Sequence, residues 1–121
     1  MAARIPVVLI VEDEPLVREL ALAALEEVGA AVLQAANAQE AMEVLRGRSD
    51  VGVVFTDIDM PGPFDGLGLA RLVHRQWPAI RLVITSGAGL AEPLPVNGRY
   101  LQKPYSLQHM TDAVTLLPDA R

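Results

Sequence analysis

The sequence predicts an α/β protein in which a parallel sheet is covered by helices on both faces. Short apolar runs rich in branched residues alternate along the chain with segments whose apolar residues recur at three- and four-residue spacing. The chain has 121 residues, of which 51% are hydrophobic and 21% are charged. We therefore expect a single folded domain over residues 1–121.

The first strand and the first helix are predicted before Ala30. Val7 to Val11 is a short apolar run, as expected for a strand that is buried on both faces. Pro15 opens a helical pattern that Gly29 ends. The apolar residues of this helix share one face, which is the face expected to pack on the sheet. They are Leu16, Leu20, Ala23, Ala24 and Val28.

The same alternation continues along the rest of the chain. Asn37 is a suitable N-cap for a second helix that ends at Gly47. Further strands are predicted at residues 31–35, 51–56, 80–85 and 99–102, and further helices at 67–77 and 106–117. Five strands at this length match a flavodoxin-like doubly wound sheet of order 2-1-3-4-5. Sites in such sheets lie at the carboxyl ends of the strands, near the switch point between the first and third strands.

Composition excludes several classes of function. The absence of cysteine rules out disulfide scaffolds, thiolate zinc sites and cysteine nucleophiles. A net charge of -5 without a basic stripe argues against nucleic-acid binding. No apolar run has the length of a membrane span, and the N-terminus lacks the features of a signal peptide. We therefore expect a cytoplasmic protein that binds neither nucleic acid nor membrane.

Polar residues follow four of the predicted strands, and in this topology they face one crevice. They are Glu12, Asp13, Asp57, Thr85, Ser86 and Lys103. Crowded carboxylates raise one another's pKa unless a cation neutralises them, and oxygen ligands favour a hard cation such as Mg²⁺. Beside such a metal, Lys103 is suited to hold a phosphoryl oxygen as a point charge. A carboxylate there can act as a nucleophile and form an aspartyl phosphate.

Five short stretches, in this order and spacing, resemble those of the response-regulator receiver domains of two-component signalling, the CheY-like family. The resemblance extends from residue 5 to about residue 117. The stretches are VEDE (11–14), TDIDMPG (56–62), DGL (65–67), TSG (85–87) and KPY (103–105).

The resemblance implies a phosphoacceptor and a metal site. Asp57 would accept a phosphoryl group from a histidine kinase or a histidine phosphotransfer protein. Glu12, Asp13 and Asp57 would hold Mg²⁺, with the backbone carbonyl of Asp59 as a further ligand. Asp59 is also a departure from the family, because many relatives have a neutral residue there.

The resemblance also implies a switch that responds to phosphorylation. Ser86 would be the hydroxyl that bonds the phosphoryl group, with Thr85 as its rival; the small Gly87 fits the position after the hydroxyl. Lys103 would contact the phosphate, and Tyr100 matches the aromatic residue that changes rotamer in the family. A downstream protein would recognise the phosphorylated state.

Two alternatives to a phosphorylated signalling domain remain open. The Asp57 and Asp59 pair has the spacing found in Mg²⁺-dependent phosphatases with an aspartyl nucleophile, but Asp57 follows the third strand rather than the first, and no cap domain is evident. A pseudo-receiver that binds partners without phosphorylation is the other; the complete acid set with Lys103 argues against it. We expect a receiver rather than an enzyme, of the stand-alone type without an output domain.

The crossover before the fifth strand departs from the family, in which a full helix lies there. Residues 87–97 contain two glycines and two prolines, and each proline costs about 3 kcal/mol inside a helix. We expect this helix to be absent or one turn long. Dimerisation through it is then disfavoured, and partners should contact the first helix, the last helix or the loops around Asp57.

Overall fold

The computed structural model describes residues 7–58, 66–87, 98–103 and 105–115. Five strands and four helices lie in these ranges, and strands and helices alternate up to β4; residues 88–97, between β4 and β5, are outside the described ranges. The strands are β1 Val7–Val11, β2 Ala31–Ala35, β3 Val51–Asp57, β4 Arg81–Ser86 and β5 Gly98–Gln102. The helices are α1 Pro15–Glu27, α2 Ala38–Gly47, α3 Gly66–Gln76 and α4 Leu107–Thr115.

The strands form one parallel sheet of order β2-β1-β3-β4-β5, which confirms the predicted topology. The order reverses at β1, which pairs with β2 on one side and with β3 on the other. The register aligns the carboxyl ends of the central strands: Asp57 lies opposite Thr85. The residues that follow these strands therefore meet at one edge of the sheet.

In the described part of the chain, two helices cover each face of the sheet. Along β1, Leu9 and Val11 pack with α2 and α3, whereas Val8 and Ile10 pack with α1 and α4. Successive side chains of a strand point to opposite faces, so a strand buried on both faces is apolar throughout. This explains why β1 is an uninterrupted apolar run.

Local signals in the sequence set the ends of α1 and α2. Pro15 begins α1, and Gly29 follows it with a φ of 94°, a conformation that a residue with a side chain rarely adopts. Asn37 caps α2 by accepting a hydrogen bond from the Glu40 N–H at 2.8 Å. The Glu40 carboxylate in turn accepts one from the Ala36 N–H at 2.8 Å. The start and end of α1 and the start of α2 therefore agree with the prediction.

The buried face of α1 is a correction to the sequence analysis. Ala21 and Leu25 are buried, while Leu16 and Leu20 are 74% and 59% exposed. Apolar residues occur on more than one side of this helix, so their spacing does not identify the face that packs. Contact with the sheet and α4 selects the face of Ala21 and Leu25.

Other differences from the predicted bounds are small. β4 extends to Ser86, β5 begins at Gly98 and α4 begins at Leu107. The expectations for a short or absent helix in residues 88–97 and for a carbonyl ligand at Asp59 lie outside the described residues. None of the helices in the part of the chain that the structure describes has the length and apolar character of a membrane span.

Candidate functional site

Three carboxylates converge at the carboxyl edge of the sheet. Carboxylate oxygens of Glu12, Asp13 and Asp57 lie within 4.8 Å of one another. Glu12 and Asp57 are buried and Asp13 is half-buried. The first two residues follow β1 and the third ends β3, so the switch point of the sheet brings them together. Oxygen donors at this spacing suit a hard divalent cation.

Lys103 supplies a positive charge at the same place. Its Nζ lies 2.5 Å from Oδ2 of Asp57, whose side chain is only 5% exposed, whereas the Lys103 side chain is 33% exposed. The Lys103 backbone N–H donates to the Ser86 carbonyl at 2.9 Å. This bond holds the residue after β5 beside the end of β4, within reach of the Asp57 carboxylate that its ammonium group contacts.

Hydrogen bonds hold Glu12 in the cluster, where burial makes its carboxyl harder to ionise. Its backbone N–H donates to the Ala35 carbonyl at 3.1 Å, and its Oε2 accepts from the Glu14 N–H at 3.1 Å. Burial is the main reason why the pKa of the Glu12 carboxyl is raised to about 7; the neighbouring carboxyls of Asp13 and Asp57 act in the same direction, while the Glu14 N–H and Lys103 act against it. A cation bound in the cluster would offset this, because it favours the ionised form.

Ser86 connects the ends of β4 and β5. It is fully buried, and its carbonyl accepts both the Lys103 N–H and the Tyr100 hydroxyl, the latter at 3.1 Å. Thr85 is also buried and lies opposite Asp57 in the register. Its Oγ1 has no hydrogen-bond partner among the described residues. The two candidate hydroxyls are therefore adjacent in β4, and only Ser86 is joined to both Tyr100 and Lys103.

An apolar groove begins where the charged cluster ends, and the sequence analysis did not anticipate it. It has a volume of about 530 Å³ and lies between α1 and α4. Leu20 and Leu107, on its walls, are 59% and 48% exposed. The only signal in the sequence is that α1 carries more apolar residues than one buried face requires. Among the described residues, the groove is lined by Val17, Leu20, Ala21, Lys103, Tyr105, Leu107 and Met110.

The structure thus brings together four of the predicted site residues and links two more to them. Glu12, Asp13, Asp57 and Lys103 form the cluster, and Ser86 and Tyr100 join it through hydrogen bonds. The family model for the response regulator receiver domain matches residues 8–115, which is most of the chain. The chain belongs to the response regulator receiver domain family.

Known receivers resemble this one in sequence and in structure. A sensor kinase, CckA of Brucella abortus, is 34% identical over 113 residues, which are 88% of this chain and 12% of the kinase. The receiver domain of the hybrid histidine kinase CckA has a TM-score of 0.80 at 26% identity, covering 92% of this chain and 97% of that domain. The response regulator TrrA of Thermotoga maritima was solved in complex with Mg²⁺-BeF. It has a TM-score of 0.83 at 24% identity, and the match covers 93% of this chain and 99% of the TrrA chain.

Because this receiver spans only 12% of the sensor kinase, the activity of that whole protein does not transfer to it. The family is a signalling domain of two-component systems rather than an enzyme of metabolism. Position in the fold agrees with that role, since the cluster lies at the carboxyl edge beside the switch point of the sheet.

Proposed function

We propose that this receiver is a cytoplasmic phosphoacceptor, phosphorylated on Asp57 by a histidine kinase or a histidine phosphotransfer protein with Mg²⁺. The observation that carries the proposal is the convergence of three carboxylates with Lys103 on one buried aspartate. A fold can host many functions, so the argument rests on this site and not on the topology.

The donor set fits a magnesium ion. Among the described residues it consists of carboxylate oxygens, and the pKa of Glu12 is raised by burial and by the neighbouring carboxyls, which a bound cation would offset. Glu12, Asp13 and Asp57 would hold the ion, with the Asp59 carbonyl as a further proposed ligand. TrrA, which shares the fold, binds Mg²⁺-BeF in its crystal structure. When bound, the ion neutralises the cluster and the incoming phosphoryl oxygens.

Asp57 is placed to act as the nucleophile. A carboxylate oxygen of Asp57 attacks the phosphorus of the donor phosphohistidine, the P–N bond breaks, and the imidazole leaves with its electron pair. Lys103 already contacts the Asp57 carboxylate, so its ammonium can follow the charge onto a phosphoryl oxygen with little movement.

Ser86 is the residue best placed to report phosphorylation. Its hydroxyl would bond the phosphoryl group, while its carbonyl already accepts the Tyr100 hydroxyl and the Lys103 N–H. A shift of Ser86 therefore changes the environment of Tyr100 on β5 directly. Phosphorylation would shift the population between two arrangements of this connection, and a downstream partner would bind one of them.

The apolar groove between α1 and α4 is our candidate docking surface for the phosphodonor. The donor histidine must reach Asp57, and the groove is continuous with the site because Lys103 lines it. Exposed apolar side chains such as Leu20 and Leu107 suit an apolar face of a partner helix. This location agrees with the expectation that partners contact the first and last helices.

The decisive experiment is phosphorylation by a small donor. The protein is incubated with acetyl phosphate and Mg²⁺, and its intact mass is measured. We expect an adduct with the mass of one phosphoryl group, absent in Asp57→Asn and absent when Mg²⁺ is chelated. Ser86→Ala should still form the adduct but lose the associated NMR shifts at Tyr100, whereas Thr85→Val should keep them.

Other outcomes would support the alternatives. Rapid hydrolysis of phosphomonoesters that depends on Asp57 would indicate a phosphatase. Absence of an adduct under conditions that phosphorylate another receiver would indicate a pseudo-receiver. Magnesium affinity that is unchanged in Asp13→Ala and Asp57→Ala would show that the metal site is elsewhere.

A further inference from the structure

Arg18 bridges three parts of the chain at the edge of the acid cluster. The residue lies half-buried on α1. Its Nη1 donates to the backbone carbonyl of Glu12 at 2.8 Å, and its Nε donates to Oε1 of Gln34 on β2 at 3.1 Å. One guanidinium therefore joins α1, the segment after β1 and the neighbouring strand.

The carbonyl that Arg18 binds belongs to the peptide bond between Glu12 and Asp13. Because this peptide group is planar, holding its oxygen limits rotation of the link between the two carboxylate-bearing residues. Glu12 is already held by the Ala35 carbonyl and, through its carboxylate, by the Glu14 N–H. The hydrogen bond from Arg18 additionally restrains the peptide group that connects Glu12 to Asp13.

We propose that Arg18 is a positioning residue for the magnesium site: it holds the Glu12–Asp13 peptide in the orientation that aims both carboxylates at the ion. This inference rests on the Mg²⁺-dependent function proposed above. A guanidinium suits the task because it is weakly hydrated and donates in two fixed directions at once. Groups outside the ligand shell that orient ligands commonly change metal affinity 10- to 100-fold when removed.

Charge and positioning make opposite predictions for the loss of Arg18. The guanidinium is positive, so its removal alone would favour a cation in the nearby cluster. Loss of the bond to the Glu12 carbonyl would instead loosen the peptide and weaken Mg²⁺ binding. The sign of the change in affinity therefore separates the two effects.

The test measures Mg²⁺ affinity by titrating ¹⁵N-labelled protein with MgCl₂ and following amide shifts, at about pH 8 so that the carboxylates are ionised. We expect Arg18→Met to bind Mg²⁺ about 10-fold more weakly than the wild type. Arg46→Met removes an exposed arginine from the last turn of α2 and should bind normally. Metal-free Arg18→Met should also show a displaced Asp13 amide resonance.

Two further variants keep the charge. Arg18→Lys retains a single donor group, and we expect partial rescue. Gln34→Ala removes the second anchor of the guanidinium and should weaken Mg²⁺ binding by less than Arg18→Met does. Combined with Arg18→Met it should add nothing, because both changes act through one contact. A thermal unfolding experiment will show whether Arg18→Met folds. If it does not, Arg18→Lys and Gln34→Ala test the inference in its place.

Failure of the inference is distinguishable from failure of the proposed function. If the wild type binds Mg²⁺ through Asp13, but Arg18→Met and Gln34→Ala bind it equally well or more tightly, only the role of Arg18 is overturned. If the wild type does not bind Mg²⁺ through this cluster, both are overturned. Weaker binding in Arg18→Met at unchanged thermal stability supports the positioning role.

Discussion

The interior of the sheet buries apolar side chains, whereas its carboxyl edge buries polar and charged ones. Away from the carboxyl ends of the strands, the buried side chains of the described sheet are aliphatic or aromatic, as in Val8 to Val11 of β1. The buried polar residues of the described ranges, apart from Thr111 on α4, lie at the ends of β1, β3 and β4. They are Glu12, Thr56, Asp57, Thr85 and Ser86.

This difference separates what stabilises the fold from what performs its chemistry. Apolar burial releases free energy in proportion to the area removed from water, whereas a buried carboxylate loses hydration and must be compensated. At the edge, Lys103 compensates only in part, and the pKa of Glu12 rises to about 7. We expect changes in the interior to alter stability and changes at the edge to alter function.

The largest effect on stability should come from the interior. Leu82 of β4 is fully buried between the sheet and the helices α2 and α3. We expect Leu82→Ala to lower the free energy of unfolding by about 2–5 kcal/mol, through lost burial and the cavity that remains. Urea denaturation measures this. Leu16→Ala, at a 74% exposed position, is the matched control, and an equal loss there would contradict the comparison.

The next largest change in stability should come from Glu12, whose replacement by Gln should stabilise the metal-free protein at high pH. Because its pKa is raised from 4.5 to about 7, the folded state binds more protons than the unfolded state between these values. The free energy of unfolding of the metal-free protein should therefore fall as the pH rises through this window, by at most about 3 kcal/mol. Glu12→Gln should remove this component and be the more stable protein above the window.

Urea titrations with EDTA at about pH 5 and about pH 8 measure the difference between the two proteins. Glu19→Gln, on the exposed side of α1, serves as the control and should keep the pH dependence of the wild type. An identical slope in Glu12→Gln would show that Glu12 is not the group responsible.

A smaller effect is expected where β5 meets β4. Tyr100→Phe keeps the ring but removes the hydroxyl that donates to the Ser86 carbonyl. We expect a loss of about 1 kcal/mol in the free energy of unfolding, the usual net contribution of such a bond. The phosphorylated variant should also show smaller amide shifts at Ser86 than the wild type. Stability and shifts equal to those of the wild type would remove Tyr100 from the switch.

The smallest change in stability should accompany a large change in function. Leu20→Ser alters an exposed side chain of the groove, so the free energy of unfolding should change by about 0.5 kcal/mol or less. Phosphotransfer from a phosphorylated histidine phosphotransfer protein should slow several-fold, while phosphorylation by acetyl phosphate stays normal. Val28→Ser, exposed at the far end of α1, is the control. Equal slowing in both variants would exclude the groove as the docking surface.

Much of this fold could be predicted because the determining interactions are local. Residues that are buried on both faces of a parallel strand must be apolar, so β1 is visible as a run. Asn37 and Gly29 mark helix ends through hydrogen bonding and backbone conformation within a few residues. The acid cluster was predictable for a related reason, since parallel topology places all carboxyl ends of the strands at one edge.

The sequence by itself determined the order of the elements and the residue types gathered at the carboxyl edge. Only the tertiary structure decided which face of α1 is buried, because apolar residues occur on several sides of that helix and contact with α4 makes the choice. Because the face of Ala21 and Leu25 is the buried one, Leu20 is exposed and lines the groove beside Lys103. The bond from Arg18 to the Glu12 carbonyl also depends on tertiary structure, because a backbone acceptor leaves no trace in the identity of its residue.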